Sequence, residues 1–332
     1  MREELIELLT CPVCHGELNW AIADQRLDQI ERAEAVCEEC KASYPVREGI
    51  GAFLTPDLPR HDLWEEVESR LSKYLREHPE VKRRLMETPL DGLAPADQFL
   101  RAMILEEQEA YAEAEAASRM AWPGLYTEAY RSCYESQIEF VIQRLSDAQG
   151  PIMDLASGRG ELVERAARVL PQPLVATDFS PRVLRRNRRR LEFFGLGDRV
   201  SLLAFDARRM PFRDGAVRTM TTNLGLANIE QPGELLRELR RVVSGTFLAI
   251  CHFFPEKDEA NGAKIREFGL EPFLYRRTAL AKFAEAGFQV ELANVQMGVA
   301  RPTPTSELIE GAGIDALPVA ETELEWCVLV AR

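Results

Sequence analysis

Residues 152–163 read IMDLASGRGELV. A short apolar run carries an aspartate near its end, passes through Gly158 and Gly160, and opens into a helical pattern. Glycines in such a turn let the backbone approach a ligand without a clashing Cβ. In open α/β sheets the turn beyond a strand's carboxyl end meets the amides of a helix N-terminus, and nucleotide-containing cofactors sit there.

The chain downstream repeats the strand half of that stretch. PLVATDF (173–179), VSLLAFDA (200–207), VRTMTTNLG (217–225) and GTFLAICHF (245–253) are short and mostly apolar. Amphipathic runs such as ELVERAARVL, SPRVLRRNRRRLEFFG and GELLRELRRVV lie between them. Strand–helix alternation at this interval predicts crossover units and a parallel sheet covered on both faces. FQVELANVQ and ETELEWCVLVA alternate apolar with polar and are joined by a loop, so they read as an antiparallel pair at one side of the sheet. The connecting ARPTPTSELIEGAGIDALP is long for a compact domain, a length typical of lids and binding segments.

Three acids end successive strands. Asp154 precedes the glycine turn, and Asp178, 24 positions on, is placed to accept hydrogen bonds from both hydroxyls of a ribose. Asp206 follows the third strand, within reach of an adenine amino group. Taken singly, each has a plain structural alternative as a turn or Asx-loop former. The nicotinamide fingerprint G-x-G-x-x-G/A fits less well, because its third small position is Val163. A P-loop is excluded, since no G-K-[ST] follows.

DLASGRGELV, ATDFSP, FDARRMPF, TTNLGLANI, LLRELRRVV and AEAGFQV occur in the order and at the intervals of class I S-adenosylmethionine-dependent methyltransferases. Over about 130–332 the chain resembles the group that includes the quinone-biosynthesis methyltransferases. The resemblance implies an α/β, Rossmann-like, seven-stranded and mostly parallel sheet with an antiparallel last strand. It implies that Asp154, Gly158 and Gly160 hold the methionine end of S-adenosylmethionine, with Ala156 and Ser157 supplying backbone. Asp178 takes the ribose hydroxyls with Phe179 beside the adenine, Asp206 and the Ala207 amide read the adenine, and Asn223 lies under the sulfonium. Ala156 and Ser157 stand where this family usually has Gly and Cys or another small residue.

The N-terminal segment carries different chemistry. CPVC at 11–14 and CEEC at 37–40 give C-x₂-C-x₂₂-C-x₂-C. Two residues between cysteines let both sulfurs reach one tetrahedral ion, and four thiolates leave no open position, so the site predicts structural Zn2+ on Cys11, Cys14, Cys37 and Cys40. Two disulfides are the rival and require an oxidising compartment. A segment this short needs a staple to hold its fold. His15 reads as a surface residue, and Cys133, Cys251 and Cys327 as buried small apolar ones. The block resembles the small zinc-ribbon proteins that partner and activate certain tRNA, ribosome and release-factor methyltransferases, here fused to the enzyme. That resemblance makes the ribbon a candidate docking surface for a protein partner.

The regions are therefore a zinc ribbon at 1–58, a helical linker or lid at 59–148, and a cofactor-binding methyltransferase domain at 149–332. The ribbon ends in YPVREGIGAFLTPDLP, where prolines and glycines are expected to break regular structure. In the middle region Pro79, Pro89, Pro95 and Pro123 are expected to divide several helices. With 332 residues, 46% of them hydrophobic, the chain can bury a sizeable core. It lacks both a signal-peptide start and an apolar run of the ~20 residues that cross a bilayer, so a cytoplasmic protein without membrane association is expected.

The net charge of −13 is concentrated in residues 1–150, where 16 basic residues face 30 acidic ones. That acidity argues against broad nucleic-acid binding by the front half. PRVLRRNRRR holds six arginines between 182 and 190, either an RNA-binding face or a solvated helix pairing with the acidic half; the second is favoured. TNLGLAN offers neither the stacking ring nor the acceptors used for methylating planar amides or exocyclic amines. The expected methyl acceptor is a small molecule or a protein, with RNA, or an adaptor whose fold is kept as scaffold, as the weaker readings. Tyr126 and Tyr130, with Tyr134, and His252 at the end of the fifth strand are candidates for substrate contact or proton transfer. Packing against the sheet is the plainer role for each.

Overall fold

The protein is described by a computed structural model covering residues 1–58 and 63–332, without the side chains of 63–69. The ribbon contains β1 (Leu18–Arg26), β2 (Gln29–Cys37), β3 (Ser43–Arg47) and β4 (Ile50–Phe53). Five helices follow: α1 (Leu63–Glu77), α2 (Pro79–Glu87), α3 (Pro95–Glu107), α4 (Tyr111–Leu125) and α5 (Glu128–Leu145). Then come β5 (Ile152–Asp154), α6 (Glu161–Val169), β6 (Leu174–Asp178), α7 (Pro181–Phe193), β7 (Val200–Phe205), β8 (Val217–Asn223), α8 (Pro232–Val242) and β9 (Val243–Phe253). The chain closes with α9 (Glu259–Glu267), α10 (Glu271–Leu274), α11 (Arg276–Glu285), β10 (Val290–Ala300) and β11 (Thr322–Ala331).

The strand order is β1-β2-β3-β4-β7-β6-β5-β8-β9-β11-β10. The last seven are the expected sheet, with β11 antiparallel to both its neighbours. The total corrects the expectation: among the described residues the sheet has eleven strands, because the ribbon continues it. β4 lies parallel to β7 in the register Ile50↔Leu202 to Phe53↔Phe205. The break expected at YPVREGIGAF does not occur. Glu48 and Gly49 take positive φ, 51° and 66°, and turn β3 directly into β4; consecutive positive φ values match the twist of a tight hairpin. β7, buried at all six positions, gains in β4 a partner for an otherwise open edge.

One apolar core joins both parts on one face of the sheet, with Leu5, Leu9, Val46 and Phe53 packed in the same cluster as Phe205, Phe212, Leu235 and Phe283. The other face packs against α5, α6 and α7 through Ile138, Val163 and Leu184. Pro79 and Pro95 open helices, where a missing N–H is harmless, whereas Pro123 lies inside the last turn of α4. Tyr126 follows α4 and does not share a helix with Tyr130 and Tyr134. Thr127 caps α5, its hydroxyl accepting from the Tyr130 amide, and Ser180 caps α7 ahead of Pro181.

Candidate cofactor site and metal centre

The turn after β5 is fixed by bonds to both flanking strands. The Leu155 amide donates to Thr221 O at 2.7 Å and the Ser157 amide to Thr177 O at 2.7 Å. The hydroxyls of Ser157 and Thr177 donate to Asp154 O at 2.9 and 2.8 Å. Gly158 and Gly160 take φ of 52° and 77°, and Ala156, the residue that departs from the family pattern, takes 52°. The first two are free there, while alanine is strained. Asn187 of α7 donates to Gly158 O at 2.8 Å, and a Cβ on Gly160 would meet that same amide at 3.2 Å.

Asp178 and Asp206 share one open cleft of about 480 Å³, with Ala156, Phe179 and Ala207 also in its wall. The Asp178 carboxylate is aimed by two amides, Gly158 N–H on Oδ2 and Ser180 N–H on Oδ1, each at 3.0 Å. Asp206 is gripped by Arg208: the backbone amide and Nε donate to Oδ1 at 2.9 Å each and Nη2 to Oδ2 at 2.7 Å. Asp154 does not line the cleft. It is buried beneath the turn, its Oδ1 accepting from the Thr221 hydroxyl at 2.8 Å. Burial pushes its pKa from 3.8 up to about 6, against the pull of the Ser157 and Thr221 hydroxyls.

Asn223 stands at the tip of β8 outside the cleft wall and donates to the Tyr134 hydroxyl at 2.8 Å. Tyr126 and Tyr130 stack on each other with centroids 4.8 Å apart, and Tyr130 meets Trp326 edge-on. His252 packs against Trp326 and Phe254, and burial lowers its pKa to about 4. None of these three lines the cleft. Sequence reasoning missed Thr177, Arg208, Asn228, Ile229 and Glu230, which do. The DAR spacing was a usable signal for Arg208; Thr177 lies within β6 just before Asp178, and Asn228, Ile229 and Glu230 lie in the loop beyond β8, where nothing local marks which residues turn toward the cleft.

In the ribbon the four sulfurs of Cys11, Cys14, Cys37 and Cys40 lie within 4.8 Å of one another. Cys11 and Cys40 are 3.5 Å apart and Cys14 and Cys37 3.4 Å, far beyond a disulfide's ~2.05 Å. Zn–S bonds of about 2.3 Å put tetrahedral sulfurs about 3.8 Å apart, so the cluster fits a Cys₄ zinc ion and the cysteines are free. His15, exposed, is outside the cluster.

A methyltransferase domain model matches residues 152–245, and a Trm112p-like protein model matches residues 2–49. A UPF0434 protein of Nitrosococcus oceani is 34% identical over 67 residues, covering 20% of this chain and 100% of that protein. The N-terminal segment belongs to the Trm112p-like family, and a methyltransferase domain follows it. A demethylmenaquinone methyltransferase of Thermus thermophilus is 35% identical over 126 residues, 37% of this chain. The chain spans 56% of that relative's length. A putative methyltransferase structure from Bacillus halodurans aligns over 59% of this chain and 98% of its own at 20% identity and TM-score 0.46.

The Trm112p-like segment braces the methyltransferase domain just beyond Asp206. The Thr10 amide, next to Cys11, donates to Pro211 O at 2.9 Å, the Arg213 amide donates to Leu8 O at 2.9 Å, and Leu9 bridges Phe212. The glycine turn is in turn roofed by α3. Arg159 reaches Glu106 at 2.6 Å and lies over the Phe99 ring at 5.2 Å, and Arg190 pairs with Glu106 and Glu164. The segment 301–321 docks on this roof, Ser306 and the Glu307 amide donating to Asp97 and Tyr126 Oη donating to Asp315. Three of the six arginines of α7 are engaged by the front half: Arg188 with Glu31, Arg189 with Glu109 and Arg190 with Glu106. Among the described residues, no helix is long and apolar enough to cross a membrane.

Proposed function

We propose that the chain is an S-adenosylmethionine-dependent methyltransferase with a structural zinc ribbon, acting on a small molecule or a protein. Its carrying observation is the Asp178 carboxylate, aimed by two backbone amides into the cleft that Asp206 enters from the next strand. In this reading Asp178 accepts from the ribose hydroxyls, Phe179 and Ala207 flank the adenine, and Asp206 accepts from its amino group. Ala156, Ser157, Gly158 and Gly160 offer backbone to the methionine end, above the buried charge of Asp154.

The bound cofactor supplies an electrophilic methyl group for in-line displacement. What the chain contributes is position: a turn tied to two strands and held beneath α3 by the Arg159–Glu106 pair. A small acceptor is favoured because α3 packs over the glycine turn and the 301–321 segment docks on α3. The RNA alternative loses support from the pairing of Arg188, Arg189 and Arg190 with Glu31, Glu109 and Glu106. The boundaries 1–58, 59–148 and 149–332 are retained as our division; residues 59–62, at the first junction, lie outside those described. Four free thiols gathered for a metal are consistent with the cytoplasm.

Calorimetric titration with S-adenosylmethionine tests the reading. Asp178→Ala removes charge-assisted bonds of roughly 1.5–3 kcal/mol each, so affinity should fall at least tenfold. Asp178→Asn, which keeps the side chain's size, should fall similarly, with folding checked by thermal unfolding. Unchanged affinity in both variants refutes the ribose assignment; no binding by the unaltered protein leaves the scaffold reading in its place.

A further inference from the structure

Arg208 holds the Asp206 carboxylate more completely than a simple ion pair requires. The Arg208 backbone amide and Nε donate to Oδ1, each at 2.9 Å, and Nη2 donates to Oδ2 at 2.7 Å. Two of these bonds come from one planar fork, and the third comes from the backbone two residues along. The carboxylate is thereby fixed in rotation, and each oxygen has its own assigned donor. Both side chains are nearly sealed, Arg208 with 5% and Asp206 with 7% of the side chain exposed. The outer end of the guanidinium leans on Glu230, whose Oε2 lies 3.4 Å from Nη1.

An ionised carboxylate only accepts, and its two oxygens offer about four lone-pair positions. Oδ1 takes two donors and Oδ2 one, and no further donor reaches Asp206 among the described residues. One position therefore remains, on Oδ2. Asp206 and Arg208 both line the cleft, with Phe205 and Ala207 beside them. A buried ion pair kept for stability alone can be exchanged for apolar residues at little loss. This pair stands in a cleft wall, where an unfilled acceptor has a use.

Resting on the cofactor reading above, we propose that Arg208 is a positioning residue that turns the one vacancy of Asp206 toward the cleft and so selects the base seated there. A ring with an exocyclic amine at that place is admitted, and one with a carbonyl is refused. The refusal has two parts. A carbonyl brings no proton to Oδ2, and its lone pairs meet a carboxylate that the guanidinium keeps ionised. Without that cation, a carboxyl this buried, with Asp178 and Glu230 as acidic neighbours, goes over to its protonated form. Its O–H would then serve a carbonyl as readily as its other oxygen serves an amine. The choice of base is made by Arg208 and delivered by Asp206.

S-adenosylhomocysteine and S-inosylhomocysteine test this, because purine position 6 is an amine in one and a carbonyl, with a protonated N1, in the other. Affinities for both are measured by calorimetry on the full chain, on Arg208→Met and on Asp206→Asn, with thermal unfolding as the folding control. The unaltered protein should bind S-adenosylhomocysteine at least about tenfold more tightly. In Arg208→Met that ratio should fall about tenfold or more, and S-inosylhomocysteine should bind more tightly than it binds the unaltered protein. A fold that is merely loosened weakens both ligands together, so a gain for the wrong base is beyond a structural role. The Ala207 amide faces N1 in both proteins, and its share cancels when the two ratios are compared. Asp206→Asn keeps Arg208 and probes the same lock independently. The two donors on Oδ1 hold the amide oxygen there, so the amino group takes the Oδ2 place and the preference should reverse toward S-inosylhomocysteine. Equal binding of both ligands by the unaltered protein, or a ratio unchanged in both variants, overturns the proposal and leaves the cofactor reading standing. If S-adenosylhomocysteine does not bind the unaltered protein, the cofactor reading falls and takes this one with it.

Discussion

Asp154→Asn is expected to stabilise the ligand-free protein at neutral pH, and by an amount that depends on pH. The carboxyl is fully buried, and its pKa rises from 3.8 to about 6 on folding. A raised carboxyl pKa means that the folded state binds the proton more tightly, so this group's contribution to stability declines as pH rises from about 4 to about 6 and beyond. Two units at 1.36 kcal/mol each put the penalty of the ionised form near 3 kcal/mol at pH 7.5, and about half of that remains at pH 5. Asparagine keeps an oxygen for the Thr221 hydroxyl and never ionises, though its amide must find an acceptor of its own. The stability difference between variant and parent should therefore grow by roughly 1–1.5 kcal/mol from pH 5 to pH 7.5, whatever its absolute value. Urea unfolding at closely spaced pH values measures it. A difference that stays level across that range, or shrinks, refutes the argument. The same titration predicts weaker cofactor binding below pH 6, where the charge beneath the turn is lost.

Ala156→Gly relieves a left-handed alanine at φ 52°; the net gain, after the extra freedom of glycine in the unfolded chain, should be about 0.5–1 kcal/mol in chemical unfolding. No gain would mean that the Ala156 Cβ, which also lines the cleft, packs more favourably than the backbone is strained. Stripping the metal with a chelator should lower the melting temperature and also weaken cofactor binding, because Thr10, next to Cys11, is bonded to Pro211 in the segment that follows Asp206. Cofactor affinity that survives chelation while the ribbon melts would break that link.

The glycine turn, the acids at three strand tips and the cysteine knuckles were legible because each depends on local chemistry at short spacing. What escaped was long-range. GIGAF is too short and too rich in glycine to read as a strand, and it becomes one because β7 offers it an edge. DARR shows an acid followed by arginines, but not that Arg208 would fold back to hold Asp206 on both oxygens. The hydrogen bonds that run from Glu161 through Tyr134 to Asn223 join residues 27 and 89 positions apart, and no periodicity records such a meeting. Tyr126, Tyr130 and His252 drew notice for their chemistry, but the geometry packs them on one another and on Trp326.

Fusing the ribbon into the sheet also relocates the sheet's open margin. Without β4, the backbone row left uncovered would belong to Val200–Phe205, a straight apolar strand of the kind that recruits other chains. With it, the margin becomes Leu18–Arg26, whose pairing shifts register around Asp24 and whose outer half ends in Asp24, Gln25 and Arg26. Irregular and charged, that border discourages stray strands, so the small metal-stapled module doubles as a guard against aggregation.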